Sequence, residues 1–360
     1  MLQYFLGDVK MLILKTTEIF AAAFVLTLIL TPPVRKLALR LGAIDVPDAR
    51  KIHAYPIPRM GGLAIFLSFF ISLFFLETFS EKTIAFFAGS LVLIILGIFD
   101  DVLSLNPKIK LLGQIAAAMI PVAYGIKVNY VTNPFGGKIL LGDASYLLTI
   151  FWIVAIINAI NLIDGLDGLA AGTAAISAVF IGISSLTRGH EFVFYAAIAL
   201  GGASLAFLKY NLNPATIFLG DTGSMFLGYT LALLSVMGTA KSPTVISIII
   251  PVLVMAIPIF YTLFAIVRRF FAGRPIFKPD KEHIHHRFLD LGYSPRKTVL
   301  IIYTINIILG LLALYVKLLT FIQALVFVGL IVFLLTLAAQ KLGILGTAVS
   351  KRKSAVNHYK

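Results

Sequence analysis

Long apolar runs alternate with short polar segments along the whole chain. A helix needs about 20 mainly apolar residues to cross the hydrocarbon core of a bilayer. The runs have the approximate limits 12–31, 61–76, 83–99, 111–126, 145–160, 169–186, 192–208, 222–240, 244–267, 298–315 and 321–340. The pattern therefore predicts an all-α polytopic membrane protein with about eleven transmembrane helices.

The same pattern predicts one integral-membrane domain over residues 1–340 and a basic cytoplasmic tail over residues 341–360. Most of the segments on the predicted outer side are short. The exception carries apolar residues on both sides of Asn133-Pro134-Phe135-Gly136-Gly137, which is typical of two short strands joined by a turn. We expect a small outer β-hairpin near residues 128–141.

Basic residues concentrate on one side of the predicted membrane. With the N-terminus outside, the inner segments hold 22 of the 30 Lys and Arg residues, and these segments are 32–60, 100–110, 161–168, 209–221, 268–297 and 341–360. Because cytoplasmic loops carry the excess of Lys and Arg, we predict that the N-terminus lies outside and the C-terminus in the cytoplasm.

Composition agrees with this membrane class. The chain is 59% hydrophobic and 13% charged, with a mean hydropathy of +0.99. A soluble protein has about 25% charged residues, so a soluble enzyme and a disordered chain are excluded. The absence of Cys excludes disulfide and thiolate chemistry. The net charge of +14 fits topology and attraction to anionic lipids, and we expect no nucleic-acid partner.

Five carboxylates lie where apolar runs meet the predicted cytoplasmic interface. They are Asp100, Asp101, Asp164, Asp167 and Asp221. Ionisable groups at membrane depth are costly and usually functional. Asp100 and Asp101 close a helix at its negative end, where carboxylates are unfavourable. This pair would hold a divalent cation or position a cationic group, and the alternative is a solvated helix end.

Polar residues recur at every third position in the next acidic segment. Asn158, Asn161, Asp164 and Asp167 follow this spacing, and neighbours three apart share a helix face. The alternative is a capping and turn segment between two spans. Asp221 lies between glycines at the start of another run. It would either cap that helix or hold Mg²⁺ and phosphate oxygens at the helix N-terminus.

The most basic inner segment, 268–297, carries a cluster of histidines and arginines. Its candidate residues are Arg274, His283, His285, His286 and Arg287. A zinc site is disfavoured because there is no Cys and the spacing differs from the usual patterns. Such a cluster opposite carboxylates suits an anionic ligand such as a diphosphate. A solvated basic loop is the alternative. Segment 32–60, which contains Arg59, could fold over the same site.

One class of reaction fits these features together. The carboxylates would hold a metal, the basic groups would hold an anion, and a bilayer lies beside both. In this reaction, a soluble phosphate-bearing donor meets a lipid acceptor at the cytoplasmic interface, with Mg²⁺ between carboxylates and phosphates. The chain has neither a P-loop nor a Gly-x-Ser-x-Gly nucleophile elbow, so the usual soluble motifs for nucleotides and acyl transfer are absent.

Several motifs, in this order, resemble those of the polyprenyl-phosphate N-acetylhexosamine-1-phosphate transferases, the MraY/WecA superfamily. The resemblance runs from about residue 32 to 297. Its motifs are Pro58-Arg59-Met60-Gly61-Gly62, Asp100-Asp101, Lys110 with Gln114, Asn158 to Gly168, Asn211-x-x-Pro214-Ala215, Gly220-Asp221-x-Gly223-Ser224 and the histidine cluster.

The resemblance implies a helical phosphoglycosyltransferase in the bacterial cytoplasmic membrane. Such an enzyme moves a sugar 1-phosphate from a UDP-sugar to undecaprenyl phosphate and releases UMP. It uses Mg²⁺, for which Mn²⁺ can substitute. The lipid-linked product initiates a cell-surface glycopolymer, such as lipopolysaccharide or teichoic acid. A homodimer within the lipid bilayer is a further expectation.

The resemblance also assigns roles to residues of this chain. The expected catalytic residues are Asp100, Asp101, Lys110, Asp164 and Asp167. The expected metal ligands are Asp221 and Asp101. The expected substrate-binding residues are Asn158, Asn161, Asn211, Arg59, Arg274, His283, His285, His286 and Arg287.

One departure bears on the donor sugar. The branch that uses UDP-MurNAc-pentapeptide usually has three consecutive histidines, whereas Arg287 follows His285 and His286 here. That pattern resembles the WecA/TagO branch, so we expect UDP-GlcNAc, with UDP-MurNAc-pentapeptide as the alternative. A secondary transporter is the main rival class, but transporter sites lie near the midplane. An intramembrane aspartyl protease would leave most of the acidic positions without a role.

The chemistry favours direct attack by the lipid phosphate. A phosphate monoester has a second pKa of about 6 and is mostly dianionic at neutral pH. It therefore needs no base, and an ordinary Asp, with a pKa of about 3.9, would be a poor one. We expect Asp100 and Asp101 to orient the acceptor, Lys110 or the metal. A covalent aspartyl-phosphosugar intermediate is the alternative.

Overall fold

The computed structural model describes residues 2–47, 55–76, 80–132, 137–239, 245–271 and 284–341. In these ranges the protein is mainly helical. The helices are α1 (Leu2–Leu41), α2 (Gly62–Leu73), α3 (Glu81–Leu103), α4 (Pro107–Ala123), α5 (Ala144–Ile163), α6 (Leu169–Leu186), α7 (Glu191–Asn211), α8 (Gly220–Thr239), α9 (Val245–Val254), α10 (Ala256–Phe271), α11 (Ile284–Asp290), α12 (Pro295–Tyr315) and α13 (Phe321–Lys341).

Seven of the helices in the described ranges are long and apolar enough to cross a bilayer. They are α1, α3, α5, α6, α7, α12 and α13. The segments Gly62–Leu76 and Ala256–Val267 are apolar but shorter. The predicted class, an all-α polytopic membrane protein, is therefore confirmed. The count of eleven spans and the orientation of the chain stay predictions.

Each predicted apolar run coincides with helix, but the run 244–267 is divided in two. Helix α9 ends at Val254 and α10 begins at Ala256. Pro258 has no N–H to donate to the carbonyl four residues before it, which belongs to Val254. In α10 the same proline falls in the first turn, where a missing N–H leaves no hydrogen bond unmade.

Local capping places the ends of α3 and α4 next to each other. Ser104, with φ of 53°, ends α3 in the left-handed region. Asn106 then caps α4 by accepting a hydrogen bond from the Lys108 backbone N–H at 2.9 Å, and Pro107 occupies the first helical position. A three-residue connection of this kind reverses the chain sharply. It brings the start of α4 back against the end of α3.

Helix α8 lies at the centre of the bundle and packs against α2, α3, α5, α6 and α7. Its side chains from Met225 to Leu234 are buried. Phe226 makes edge-to-face contacts with Phe66 and Phe69, with ring centroids 5.5 and 5.7 Å apart. By contrast, α13 exposes most of its apolar side chains, as expected of a helix that faces lipid.

Two short pairs of strands complete the fold. Strand β1 (Ile44–Asp45) pairs antiparallel with β2 (Ile57–Pro58), next to the N-terminus of α8. Strand β3 (Tyr130–Thr132) pairs antiparallel with β4 (Lys138–Leu140). The second pair lies within the predicted hairpin region 128–141. Its position on the outer side of the membrane stays a prediction, and its turn lies outside the described residues.

Candidate active site

A cavity of about 780 Å³ opens at one end of the bundle, where α5 ends and α8 begins. Four of the five predicted carboxylates line it. The predicted site residues on its wall are Arg59, Asp101, Asn161, Asp164, Asp167, Asn211, Asp221 and His286. The four carboxylates, which lie at the ends of four separate apolar runs, thus meet at a single site.

Lys110 forms ion pairs with two of the five predicted carboxylates, although it does not itself line the cavity. Its Nζ lies 2.8 Å from Asp100 Oδ2 and 3.0 Å from Asp221 Oδ1. The Leu105 backbone N–H donates to Asp100 Oδ1 at 2.8 Å, so both oxygens of Asp100 have partners. The short connection between α3 and α4 places Lys110 opposite Asp100. One ammonium group therefore compensates part of the negative charge of two carboxylates.

Asp221 also receives a hydrogen bond from the opposite side of the site. Asn161 Nδ2 donates to Asp221 Oδ1, and it also lies 2.8 Å from Ser224 Oγ. Since Asn161 belongs to α5 and Lys110 to α4, two helices fix the carboxylate of a third. Asn161, Lys110 and Asp221 therefore lie together, and their roles in a reaction stay predictions.

Asp101 caps the N-terminus of α8. Its Oδ1 accepts from the Asp221 N–H at 2.9 Å, and its Oδ2 accepts from the Thr222 N–H at 3.1 Å and the Thr222 hydroxyl at 2.6 Å. The alternative in which Asp221 itself caps the helix is therefore wrong, because the cap comes from 120 residues away. These contacts indicate a positioning role for Asp101, and its role as a metal ligand stays a prediction.

Residues 164–168, here called the acidic turn, link α5 to α6. Asp167 Oδ2 accepts hydrogen bonds from Asn213 Nδ2 and the Ala215 N–H, both at 3.0 Å. Asp164 is half-buried at the cavity. Burial, together with the negative charges of Asp221, Asp101 and Asp167, raises the pKa of the Asp164 carboxyl well above its ordinary value. The ionised form of Asp164 is therefore disfavoured by its burial and by the carboxylates around it.

Two of the predicted substrate-binding asparagines hydrogen-bond neighbouring structural elements, and their substrate-binding roles stay predictions. Asn211 is buried, accepts from the Gly168 N–H at 3.1 Å and donates to the Ile217 carbonyl at 3.0 Å. Asn158 donates to Gln114 Oε1 at 2.7 Å and to the Val154 carbonyl at 2.8 Å. Asn158 does not line the cavity. Their contacts thus indicate that both asparagines hold the frame of the site.

The predicted basic residues are divided between the cavity and the protein interior. Arg59 lines the cavity, with Nη1 3.7 Å from Asp45 Oδ1, and His286 lines it as well. His285 is buried, stacks on the Tyr261 ring at 6.0 Å and does not line the cavity. The substrate-binding role of His285 stays a prediction.

The remaining predicted basic residues are Arg287, Arg274 and His283. Arg287 is half-buried on α11 and is not part of the wall. Arg274 and His283 lie outside the described residues. Two further residues, Arg35 and Tyr55, line the cavity and were not predicted from the sequence. Arg35 was detectable as a basic residue shortly after the first apolar run. The hydropathy pattern does not show, however, that its side chain points toward the cavity.

The fold and the site define a polytopic membrane protein with an acidic cavity and, beside it, a lysine that pairs with two carboxylates. The sequence profile described as glycosyl transferase family 4 matches residues 83–239. This range runs from α3 to α8 and contains all five predicted carboxylates. The matched range therefore coincides with the helices that build the site.

Named relatives extend the match to most of the chain. A probable undecaprenyl-phosphate N-acetylglucosaminyl 1-phosphate transferase of Bacillus subtilis is 39% identical over 327 residues, 90% of this chain and 91% of the relative. A decaprenyl-phosphate N-acetylglucosaminephosphotransferase of Mycobacterium tuberculosis is 39% identical over 315 residues, 78% of this chain and 77% of the relative. An undecaprenyl-phosphate alpha-N-acetylglucosaminyl 1-phosphate transferase of Escherichia coli is 27% identical over 274 residues, which cover 74% of this chain and 75% of the relative.

The chain therefore belongs to glycosyl transferase family 4, within the polyprenyl-phosphate N-acetylhexosamine-1-phosphate transferases, and to the WecA-like branch of that superfamily. This membership confirms the resemblance that the motifs carried. It also removes the transporter and the aspartyl protease as rival classes.

Proposed function

We propose that this protein transfers N-acetylglucosamine 1-phosphate from UDP-GlcNAc to undecaprenyl phosphate and releases UMP. The observation that carries the proposal is the meeting of Lys110, Asp100, Asn161 and Asp221 beside a 780 Å³ cavity at the ends of apolar helices. A soluble donor reaches such a site from the aqueous side, and a lipid phosphate reaches it from the bilayer. The names of the relatives support both substrates.

The donor occupies the cavity in this proposal. Arg35, Arg59 and His286 form a basic part of the wall of the same cavity that the carboxylates line. Guanidinium groups suit phosphate oxygens because their planar N–H groups match the oxygens in pairs. We assign the diphosphate of UDP-GlcNAc to the space between these basic residues and the acidic turn.

Magnesium fits the donor atoms of the cavity. Asp164 and Asp221 would hold the ion together with phosphate oxygens, since Mg²⁺ commonly takes only one or two carboxylates plus substrate phosphates. Within the described part of the chain, no group of three or more acidic, His or Cys side chains forms a complete metal site. Burial and the neighbouring carboxylates raise the pKa of Asp164, and a cation bound beside it would favour its ionised form. The bound ion supplies charge neutralisation to the phosphates.

The acceptor phosphate attacks the β-phosphate of UDP-GlcNAc in line, and the bond from that phosphorus to the UMP oxygen breaks. Phosphoryl transfer gains mainly from positioning and charge neutralisation. Lys110 orients the acceptor and neutralises part of its charge, and Asn161 keeps the Asp221 carboxylate in place. Both oxygens of Asp100 already accept hydrogen bonds, which weakens this carboxylate as a nucleophile and supports direct attack.

The test is UMP release by the full-length protein in detergent, with undecaprenyl phosphate, Mg²⁺ and either UDP-GlcNAc or UDP-MurNAc-pentapeptide. We expect release with UDP-GlcNAc only, and its loss when the metal is chelated. Release with the pentapeptide donor alone would contradict the proposed donor. No release with either donor, from protein shown to be folded, would contradict the proposed reaction.

The wider setting follows from the same proposal. We place the protein in the bacterial cytoplasmic membrane with its cavity facing the cytoplasm, where UDP-sugars are made. Its product would be the lipid-linked sugar diphosphate on which a cell-surface glycopolymer is built. Assembly as a homodimer stays an expectation.

A further inference from the structure

Side chains from two other helices hold the acidic turn at the two peptide groups on either side of its last alpha carbon. Its last residue, Gly168, has φ of +81°, a left-handed conformation that glycine adopts without strain. The Gly168 N–H donates to Asn211 Oδ1 at 3.1 Å. The Gly168 carbonyl accepts from the Tyr303 hydroxyl at 2.5 Å.

Tyr303 reaches this carbonyl from α12, beyond the range that matches the family profile. Its approach depends on Gly172 in α6, because a Cβ at Gly172 would overlap the Tyr303 hydroxyl and the ring carbon that bears it. The Gly172 N–H donates to the same Gly168 carbonyl at 2.9 Å. The tyrosine therefore binds the N-cap carbonyl of α6, which accepts the first hydrogen bond of that helix.

The backbone conformation at Gly168 affects the two cavity carboxylates that precede it. Asp167 is the residue next to Gly168, and its carboxylate accepts hydrogen bonds from Asn213 and Ala215 on the other side. A change in the Gly168 backbone dihedral angles would displace Asp167 and Asp164 relative to Asp221. An error of a fraction of an ångström in such groups is costly in a reaction that relies on positioning.

We propose that Tyr303 is a positioning residue for the transferase reaction. Its hydroxyl fixes the peptide group that follows Gly168, and with it the backbone conformation at Gly168 that sets the direction in which Asp164 and Asp167 face the cavity. Tyr303 does not line the cavity, so it acts through the acidic turn and not by touching a substrate. This inference rests on the proposed function, since it concerns how the site of that reaction is held.

The kinetic test compares Tyr303→Phe with Tyr315→Phe, the same chemical change at the far end of α12. Both variants keep their aromatic ring, and the Tyr315 ring contacts Phe327 away from the site. For Tyr303→Phe we expect kcat to fall roughly three- to tenfold, the effect of about one net hydrogen bond. The thermal unfolding midpoint and the KM for undecaprenyl phosphate should stay near the unmodified values. Tyr315→Phe should match the unmodified protein throughout.

A second measurement does not depend on the reaction. Amide hydrogen exchange should become faster in residues 164–172 of Tyr303→Phe and stay unchanged there in Tyr315→Phe, because only the first variant frees the Gly168 carbonyl from the tyrosine. If the unmodified protein released no UMP, the proposed function would fail while this measurement still tested the contact.

Two results would overturn the inference. One is an unchanged kcat together with unchanged exchange in residues 164–172. The other is a loss of activity that merely follows a lower folded fraction, with kcat per folded molecule equal to that of the unmodified protein. The second result would assign Tyr303 to stability of the bundle alone.

Discussion

The Lys110 ammonium lies between two carboxylates from different helices, Asp100 on α3 and Asp221 on α8. This pairing defines the electrostatics of the site at the scale of single residues. Asp221 stands out because it combines contacts to Lys110 and Asn161 with a place on the cavity wall. Its charge can therefore act both on the protein and on a bound ligand.

Replacing Asp221 with Asn should lower kcat by roughly 10²–10³-fold, the usual effect of removing one preorganised electrostatic group. The amide keeps the size of the side chain but removes the negative charge facing Lys110 and the proposed metal. Rates of UMP release at saturating UDP-GlcNAc measure the effect. Asp290→Asn, a change at an exposed aspartate of α11, is the matched control. A rate within threefold of the unmodified protein, about 0.7 kcal/mol, would contradict the role of Asp221.

The raised pKa of Asp164 makes metal binding depend on pH. A carboxyl with a raised pKa holds its proton to higher pH, and a cation must displace that proton to bind. The affinity for Mn²⁺, followed by its electron paramagnetic resonance signal without substrates, should therefore rise between about pH 5 and 8. Asp164→Asn should flatten this rise. Equal slopes in both proteins would show that another group is responsible.

At the scale of elements, the N-terminus of α8 is the part on which the site depends most. It takes its cap from Asp101 on α3, and its backbone lies directly against α2 and α3. The close approach requires small residues: a Cβ at Gly62 would overlap backbone atoms of Gly223, and one at Gly97 would overlap backbone atoms of Thr222.

Asp101→Ala should destabilise the protein by about 1–2 kcal/mol or more, since a cap is worth that much and Thr222 would lose its buried acceptor. The thermal unfolding midpoint in detergent measures the effect. Asp101→Asn, which keeps one acceptor oxygen, should lose less stability. If both variants kept the original midpoint but lost all activity, Asp101 would act in the reaction and not as a cap.

Gly62→Ala should destabilise the protein by about 1–3 kcal/mol, the usual cost of overpacking, because backbone atoms of Gly223 cannot move aside as a side chain could. Gly329→Ala is the matched control in α13, where no atom lies within 4 Å of the added carbon. That control should be neutral or stabilising by up to about 1 kcal/mol. Equal midpoints for the two variants in thermal unfolding would contradict the packing argument.

At the scale of the whole molecule, the charge pattern predicts which end of the bundle faces the cytoplasm. The chain contains no Cys, so a single introduced cysteine reports its own side of the membrane. Lys138 in β4 and Lys108 at the start of α4 are both exposed and lie on opposite predicted sides.

A membrane-impermeant maleimide should label Lys138→Cys in intact spheroplasts and Lys108→Cys only after the membrane is opened. The physical reason is the positive-inside rule, which retains basic segments on the cytoplasmic side. Labelling is read by mass shift on a gel. The reverse pattern would invert the topology and place the cavity outside, where UDP-sugars are not available.

The sequence was sufficient for the membrane class and for the acidic residues of the site. Run length and hydropathy are local properties, so the helices appeared at nearly the predicted positions, and the carboxylates at the run ends converged. The division of run 244–267 at Met255 was missed, although Pro258 signalled it. The hydrogen-bond partners of Asn158 and Asn211 and the burial of His285 were not predicted, since spacing along a helix does not say which neighbour a side chain meets.

The sequence by itself determined what the bilayer requires: long apolar helices, with polar groups restricted to their ends and to protein-lined sites. Only the tertiary structure decided which partner each polar group has. Asp101 caps α8 across 120 residues of chain, and Tyr303 of α12 fixes the turn that carries Asp167. Such pairings arise from the packing of whole helices, because a buried polar group is satisfied by whichever donor the packing brings within hydrogen-bonding distance.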